Sequence, residues 1–324
     1  MNKVATGYNT FEEANTVALA HYQKQAYSDA MVVMDAARTQ FPDRRADADY
    51  LRACLAMRLD DHGKALQILD DLLVDGIWFS TQLLRESPSF KPLQGLPEFE
   101  RRVAAHQAVR EKDEKANGGL LKVLVPEVAG GTALPLILLL HGNGSTAERE
   151  IDLWQPAVER GWLVAAPRSE AAFWAGGGSF WPDHDSAYEQ VAMHLTHLRQ
   201  HYNIDEKRVI FAGFSMGGDV AIAETLKGML VQALGFIVVG PGGPMIDEPE
   251  SYSPLIVENQ DRMIRCVFLM SDSDPLIQPD QIRTFAEMCL ERGFPTHLDV
   301  YSDNGHVYPV DFEKRLRKAL EFFV

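Results

Sequence analysis

Cysteine is scarce in this sequence. Only Cys54, Cys266 and Cys289 occur among 324 residues, and they lie far apart in apolar surroundings. An odd number at wide spacing fits neither a disulfide framework nor a zinc site. We therefore expect three free, buried thiols.

Long apolar runs and an excess of basic residues are also missing. No apolar run is long enough to cross a bilayer, and Met1–Thr10 lacks the apolar core of a signal peptide. The chain has 31 Lys and Arg against 46 Asp and Glu, and residues 116–324 alone have 16 against 28. This acidity repels polyanions, so we expect a cytoplasmic protein that binds neither nucleic acid nor membrane.

Residues 11–115 show no strand-like alternation and indicate helices separated by short polar turns. They contain an internal repeat: residues 27–30 align with residues 62–65, and the small or apolar residues at 18, 34 and 37 align with those at 53, 69 and 72. On these residues the region resembles the tetratricopeptide repeat family. The resemblance implies a helical module that binds a protein partner or self-associates. The alternative is a helical extension packed on a catalytic domain.

The composition changes at Asn117-Gly118-Gly119, which predicts a domain boundary there. We expect a smaller all-α helical-repeat domain over residues 1–116 and an α/β domain over residues 117–324. In the second part, short apolar runs alternate with amphipathic stretches, which predicts a mostly parallel sheet flanked by helices. The predicted strands are Leu120–Val125, Leu134–Leu140, Leu163–Ala166, Val209–Ala212, Leu234–Val239, Cys266–Met270 and His297–Tyr301.

One stretch dominates the α/β part. A predicted strand, Val209–Ala212, runs into Gly213-Phe214-Ser215-Met216-Gly217, and a helical pattern follows. A strand, a Gly-x-Ser-x-Gly turn and a helix form the pattern of a nucleophile elbow, in which the serine hydroxyl stands clear of the backbone. Ser215 is therefore the candidate nucleophile.

Two further motifs follow later strands and supply the partners that a serine nucleophile requires. Asp274, with Asp272 as the alternative, follows Cys266–Met270 and is a candidate for orienting a general base. His306 follows the last strand and completes the chain order Ser, Asp, His, which is the order that accompanies a nucleophile elbow. In a parallel sheet the carboxyl ends of the strands lie along one edge, so we expect these side chains to meet.

The loop His141-Gly142-Asn143-Gly144 follows the predicted strand Leu134–Leu140. Acyl transfer needs two N–H groups directed at the oxyanion, and we assign them to Met216 and Asn143. A dinucleotide site is the rival interpretation, because Gly142-x-Gly144-x-x-Ala147 fits its glycine pattern. That site needs an acidic residue after the next strand, where the sequence has Ala166-Pro167-Arg168 instead. We therefore predict no cofactor.

Histidines at positions 197 and 201 have a spacing that suits metal, but no glutamate accompanies them in an H-E-x-x-H frame. We predict no metal. Aromatic residues follow Leu163–Ala166, and we predict that Gly144, Trp174, Phe180 and Trp181 line a substrate pocket. The alternative for this loop is that its tryptophans pack on the sheet edge. No cap domain is visible, which favours a small substrate.

Taken together, residues 120–324 resemble the α/β-hydrolase superfamily, and within it the esterases related to phospholipase/carboxylesterase and to dienelactone-hydrolase-like proteins. The matching motifs are His141–Gly144, Gly213–Gly218, Asp274-Pro275 and Gly305-His306. The resemblance implies a carboxylic ester hydrolase that cleaves a small-molecule ester or thioester through Ser215, His306 and Asp274 and an acyl-enzyme. Two alternatives stay open: a peptidase of the same fold, and a non-catalytic helical-repeat binding protein on a hydrolase scaffold.

Overall fold

The computed structural model describes residues 7–117, 121–127, 131–302 and 305–323. It divides into two compact units. One comprises Met1–Gly118 with Ala172–Gly177, and the other comprises Gly119–Ala171 with Gly178–Val324. Most of the segment Met1–Thr10, the linker Gly118-Gly119 and Asn304 of the histidine motif lie outside the described residues. Within those residues, no helix has the length and apolar content needed to span a membrane.

The first unit is helical. Its helices are α1 Phe11–Gln23, α2 Tyr27–Gln40, α3 Arg45–Arg58, α4 His62–Val74, α5 Thr81–Glu86 and α6 Pro97–Asn117, with 3₁₀ turns at Pro42–Arg44 and Pro88–Leu93. Side-chain hydrogen bonds to the backbone fix where three of these helices begin. Thr10, Asp61 and Ser80 each accept a hydrogen bond from the backbone N–H three residues later and thereby cap α1, α4 and α5.

The helix starts repeat along the chain. Helices α1 and α3 begin at Phe11 and Arg45, and α2 and α4 begin at Tyr27 and His62. The aligned residues Ala30 and Ala65 are both fully buried, as are the aligned positions 18 and 53, 34 and 69, and 37 and 72. The same aligned positions are therefore buried in the helix pair α1–α2 and in the helix pair α3–α4. Membership of the tetratricopeptide repeat family stays a prediction.

The second unit is a seven-stranded sheet with helices. The strands are β1 Leu121–Leu124, β2 Leu134–Leu140, β3 Leu163–Pro167, β4 Ile204–Phe214, β5 Gly235–Val239, β6 Arg265–Ser271 and β7 Thr296–Tyr301. The helices are α7 Ala147–Ile151, α8 Gln155–Val158, α9 His184–His201, α10 Met216–Lys227, α11 Pro244–Asp247, α12 Ser253–Glu258, α13 Pro279–Glu291 and α14 Phe312–Glu321. The strand order is β1-β3-β2-β4-β5-β6-β7. All pairs are parallel except β1 with β3, so the predicted mostly parallel sheet flanked by helices is confirmed.

The sheet is buried on both faces. In β2, Leu136, Leu138 and Leu140 belong to one buried cluster, which also contains residues of α9, α10 and α13. Ile137 and Leu139 point to the opposite face and belong to a second cluster, with residues of α7, α8 and α14. Side chains alternate between the faces of a strand, so a strand that is covered on both sides has a continuous apolar sequence. The three cysteines are free and buried, as predicted.

Two element predictions differ from the structure. One of the amphipathic stretches predicted to flank the sheet covers residues 148–159, and it is broken into α7, a 3₁₀ turn at Asp152–Trp154 and α8. Pro156 has no N–H to donate to the carbonyl four residues earlier, which explains the break. Strand β4 begins at Ile204, well before the predicted Val209. The prediction missed the first half of the strand because that half is mostly polar and lacks an apolar pattern.

Candidate active site

The Ser215 backbone is strained. Ser215 lies between β4 and α10 with φ 52° and ψ −127°, a conformation that costs a non-glycine residue of the order of 1–3 kcal/mol. The turn is tight: a Cβ on Gly213 would overlap the Gly217 carbonyl, and a Cβ on Gly217 would overlap the carbonyls of Leu140 and His141. Glycine is therefore required at both positions for the serine to take this place at the start of a helix.

Asp274 and His306 form a close pair. Asp274 Oδ2 lies 2.6 Å from His306 Nδ1, although the residues come from loops after different strands. The other oxygen, Oδ1, accepts hydrogen bonds from the backbone N–H groups of Leu276 and Ile277. The carboxylate is thus held by its own loop and presents one oxygen to the imidazole. The alternative, Asp272, accepts a hydrogen bond from the Ser302 hydroxyl instead.

The other nitrogen of His306, Nε2, is buried. Among the described residues, nothing forms a hydrogen bond with its buried Nε2. The ring packs against Phe214, with centroids 4.6 Å apart, and a Cβ on Gly240 would lie 3.4 Å from its Cε1. Since Asp274 requires the proton on Nδ1, Nε2 is left as a proton acceptor. The His306 ring packs against Phe214, which immediately precedes Ser215.

The loop after β2 packs on the elbow. A Cβ on Gly142 would lie 3.2 Å from Ser215 Cβ, which places this loop in contact with the serine. The N–H of Gly144 donates to the Ser179 carbonyl, at 2.9 Å. Within the described part of the chain, the N–H groups of Asn143 and Met216 have no acceptor, and Met216 is the first residue of α10. Among the described residues these two donors are unpaired, one directly after the serine and one in the loop that packs on it, and a helix N-terminus favours negative charge there.

His141 fixes this loop from within. Its ring is fully buried, Nε2 accepts from the Ser169 N–H at 3.0 Å, and Nδ1 lies 2.9 Å from the Gly142 carbonyl. Since the backbone N–H of Ser169 can only donate, Nε2 must be the acceptor and the imidazole proton must be on Nδ1. Desolvation by burial lowers the pKa of His141 to about 4, so the ring is neutral near neutral pH.

The predicted pocket residues have different surroundings. Trp181 is buried, donates from Nε1 to the His141 carbonyl and from its backbone to Asn143 Oδ1. Phe180 is also buried, whereas Gly144 is exposed. Gly144 and Trp181 lie on or against the loop after β2, and the Phe180 backbone pairs with Ala171 and Ser169. A role in substrate binding stays a prediction for each.

Trp174 belongs to the helical unit. Its ring stacks on Tyr50 at 6.0 Å and meets Phe79 edge-on at 6.2 Å. Backbone hydrogen bonds join Ser80 to Phe173 and Ala175 to Trp78. The sequence pattern did not predict this position, because residues 172–177 follow a strand of the other unit along the chain. These contacts account for the ring as a packing element of the helical unit, and its role in a substrate pocket stays a prediction.

Two buried acids near the elbow were missed from the sequence. Glu150 on α7 accepts from the Gly142 N–H at 2.8 Å, and burial raises its pKa to about 7. Asp219, in the first turn of α10, accepts from the Ile246 N–H and lies 2.7 Å from His184 Nε2. Neither lies in a recognisable motif, because an acid in the first turn of a helix is ordinary.

The sheet and its helices have the α/β-hydrolase fold, and the family match below supports a serine-hydrolase-type activity. A family model covers more than half of the chain, matching residues 123–319. The chain belongs to the dienelactone hydrolase family.

Solved structures share the fold. An uncharacterized protein from Bacillus cereus ATCC 10987 is 20% identical with a TM-score of 0.54, and the match covers 97% of this chain and 98% of that one. Esterase PE8 is 19% identical with a TM-score of 0.50, covering 63% of this chain and 98% of that one. The Bacillus cereus carboxylesterase is 13% identical with a TM-score of 0.50, covering 66% and 99%. No curated protein matches the sequence significantly.

Proposed function

We propose that this protein is a serine esterase that hydrolyses a carboxylic ester or thioester through an acyl-enzyme. Ser215 is the nucleophile, His306 the general base and Asp274 the residue that orients it. The N–H groups of Met216 and Asn143 form the oxyanion hole. One observation carries the proposal: His306 is paired with Asp274 at 2.6 Å on Nδ1 while its buried Nε2 is left unpaired among the described residues. A buried nitrogen without a partner costs free energy unless another group uses it.

The proposed reaction has two half-cycles. His306 Nε2 takes the proton of Ser215 Oγ as the oxygen attacks the substrate carbonyl, and the two N–H groups hold the oxyanion. The tetrahedral intermediate collapses, the acyl–oxygen or acyl–sulfur bond breaks, and His306 protonates the leaving alcohol or thiol. Water then attacks the acyl-enzyme with His306 again as base, which releases the acid and restores Ser215.

The test is hydrolysis of p-nitrophenyl esters of graded acyl length by the wild type and by Ser215→Ala. We expect turnover by the wild type and a loss of about 10³-fold or more in the variant, which removes the nucleophile and leaves the fold intact. A fluorophosphonate should label the wild type and not the variant. Equal activity of the two proteins would refute the assignment. Turnover of peptide amides in place of esters would indicate a peptidase instead.

A further inference from the structure

A single carboxylate connects two loops of the candidate site. Glu150 is 3% exposed and lies on the five-residue helix α7. Its Oε1 accepts from the Gly142 N–H at 2.8 Å, in the loop assigned to the oxyanion hole. Its Oε2 accepts from the Tyr308 hydroxyl at 3.0 Å, two residues after His306. The two oxygens thus hold groups from the loops that follow β2 and β7.

This carboxylate is not needed to form the helix. The start of α7 is capped by Thr146, whose hydroxyl accepts from the Arg149 N–H. Burial makes the Glu150 carboxylate costly, and its pKa rises to about 7. An apolar side chain of similar size would avoid that cost. Unlike a buried acid without partners, Glu150 uses both of its oxygens on loops of the candidate site, which points to a role beyond stability.

The bond from Gly142 to Glu150 holds the peptide immediately before the one that carries the Asn143 N–H. With its N–H on Glu150, the Gly142 carbonyl accepts from the Ser145 N–H at 3.0 Å and lies 2.9 Å from His141 Nδ1. Both peptide groups of Gly142 are therefore held. The peptide that contains the Gly142 carbonyl also contains the Asn143 N–H. Fixing that carbonyl on one side directs the Asn143 N–H to the other, where it is unpaired among the described residues.

The bond to Tyr308 acts on the histidine side. The Tyr308 ring stacks on Phe214 with centroids 4.9 Å apart, and Phe214 packs against the His306 ring at 4.6 Å. Phe312 contacts Tyr308 edge-on at 4.8 Å. The hydroxyl bond to Glu150 sets the position of the Tyr308 ring, and the stack of rings transmits that position to the imidazole.

We propose that Glu150 is a positioning residue that aligns the oxyanion-hole N–H of Asn143 with the His306 ring by hydrogen-bonding both loops. This inference rests on the proposed esterase function. Glu150 does not contact the substrate. It acts as a hydrogen-bond acceptor, and a neutral side chain of the same shape that keeps the acceptor should replace it.

Three variants of the 324-residue chain test this role. Glu150→Gln keeps an acceptor for Gly142, Glu150→Leu fills similar volume without one, and Glu148→Leu is the matched control on α7. Glu148 is partly exposed and its carboxylate lies 3.8 Å from Lys122 Nζ. The measurements are kcat and KM on a p-nitrophenyl ester, the inhibition constant of an alkyl trifluoromethyl ketone, and the thermal midpoint. The ketone adds to a nucleophilic serine and places an oxyanion in the hole.

We expect Glu150→Leu to lower kcat by about 10- to 100-fold, somewhat less than the loss of a whole oxyanion donor, with KM nearly unchanged. The inhibition constant of the ketone should rise by the same factor. Glu150→Gln and Glu148→Leu should stay within about threefold of the wild type in both. Partial unfolding would lower kcat without changing an inhibition constant, so the paired change is specific to positioning.

Two results would overturn the proposal: wild-type kcat in Glu150→Leu, or a reduced kcat with an unchanged inhibition constant. If Glu150→Leu does not fold, Tyr308→Phe is used, since it removes one of the two bonds and keeps the ring. On the same physical grounds, Tyr308→Phe should lower kcat by about 3- to 10-fold and raise the inhibition constant of the ketone by a similar factor. An unchanged kcat would refute the role. Failure of the esterase assignment would show separately, as equal activity of the wild type and Ser215→Ala.

Discussion

At the scale of single residues, the site is recognised by features that a stable fold would avoid. Ser215 has a positive φ, and His306 Nε2 is buried without a partner in the described part of the chain. Each costs free energy, and each becomes useful when a hydroxyl must stand clear and a nitrogen must accept its proton. Asp274 adds the third element, since it bonds the nitrogen that must stay protonated.

Asp274→Asn tests that third element. The amide can donate a hydrogen bond to Nδ1 and so favours the wrong tautomer, which removes the acceptor at Nε2. We expect ester turnover to fall by about 10³- to 10⁴-fold with little change in the thermal midpoint. Asp272→Asn is the matched control two residues away, because its carboxylate bonds Ser302, and it should keep turnover within about twofold. Equal losses in the two variants would contradict the assignment of Asp274.

At the scale of secondary-structure elements, buried charge has different consequences in the two units. In α3, the 1% exposed Asp49 bonds three arginines: Arg38, Arg45 and Arg52. In α10, the carboxylate of Glu224 is fully buried, and neither oxygen has a partner among the described residues. The first group connects helices, and the second costs stability whenever it is ionised.

Asp49→Ala should destabilise the helical unit. The substitution leaves three half-buried arginines without their shared carboxylate, so we expect a loss of about 3–5 kcal/mol in the free energy of unfolding. Asp47→Ala, on the same helix, removes only a partner of Arg44 and should cost less than about 1 kcal/mol. Urea unfolding of the two variants measures both values. Similar losses of unfolding free energy in the two variants would contradict this prediction.

Glu224→Met should stabilise the sheet unit, and more so at alkaline pH. Burial raises the folded-state pKa of Glu224 from 4.5 to about 7. A raised folded-state pKa gives stability that is present below pH 4.5 and is lost as the pH rises through 7. The gain from removing the acid should therefore be about 2 kcal/mol larger at pH 8 than at pH 5. Glu258→Met, at an exposed position of α12, is the control; a pH-independent gain at position 224 would refute the argument.

At the scale of the whole molecule, the two units should respond differently to acid. Each contains a buried histidine whose pKa desolvation lowers to about 4: His106 in the helical unit and His141 in the sheet unit. A depressed histidine pKa destabilises the folded state as the pH falls from 6.5 to 4. In the sheet unit, Glu150 and Glu224, with pKa values raised to about 7, act in the opposite direction over nearly the same range. Among the described residues of the helical unit no glutamate is buried, so His106 lacks this offset.

Hydrogen exchange by peptide measures this difference. Between pH 7 and pH 4.5, protection of α4 and α6 should fall relative to that of β2 and α10, after correction for the intrinsic rate. For His106 the loss can reach about 3 kcal/mol. His106→Gln keeps an acceptor for the Phe79 N–H, which His106 Nδ1 accepts at 2.9 Å, and should abolish the difference. Parallel loss of protection in both units of the wild type would contradict the prediction.

The sequence predicted the sheet better than the geometry around the site. Strand β2 was predicted to the residue because a strand covered on both faces is continuously apolar. Residues 204–208 of β4 were missed because the segment contains polar, exposed residues at 206–208, and only Ile204 within it pairs with β2. Glu150 was not recognised, and the packing of Trp174 in the helical unit was not foreseen, because their partners are distant along the chain and a local pattern contains no information about them.

The sequence by itself determined what local spacing and periodicity can encode: the mostly parallel sheet with its helices, the helical repeat of about 35 residues, and the order of the serine, aspartate and histidine motifs. Only the tertiary structure decided which aspartate faces His306, which N–H groups are left unpaired beside Ser215, and which unit contains Trp174. The reason is physical. Backbone propensity acts over a few residues, whereas a carboxylate–imidazole contact of 2.6 Å between Asp274 and His306 exists only after the sheet has brought separate loops to one edge.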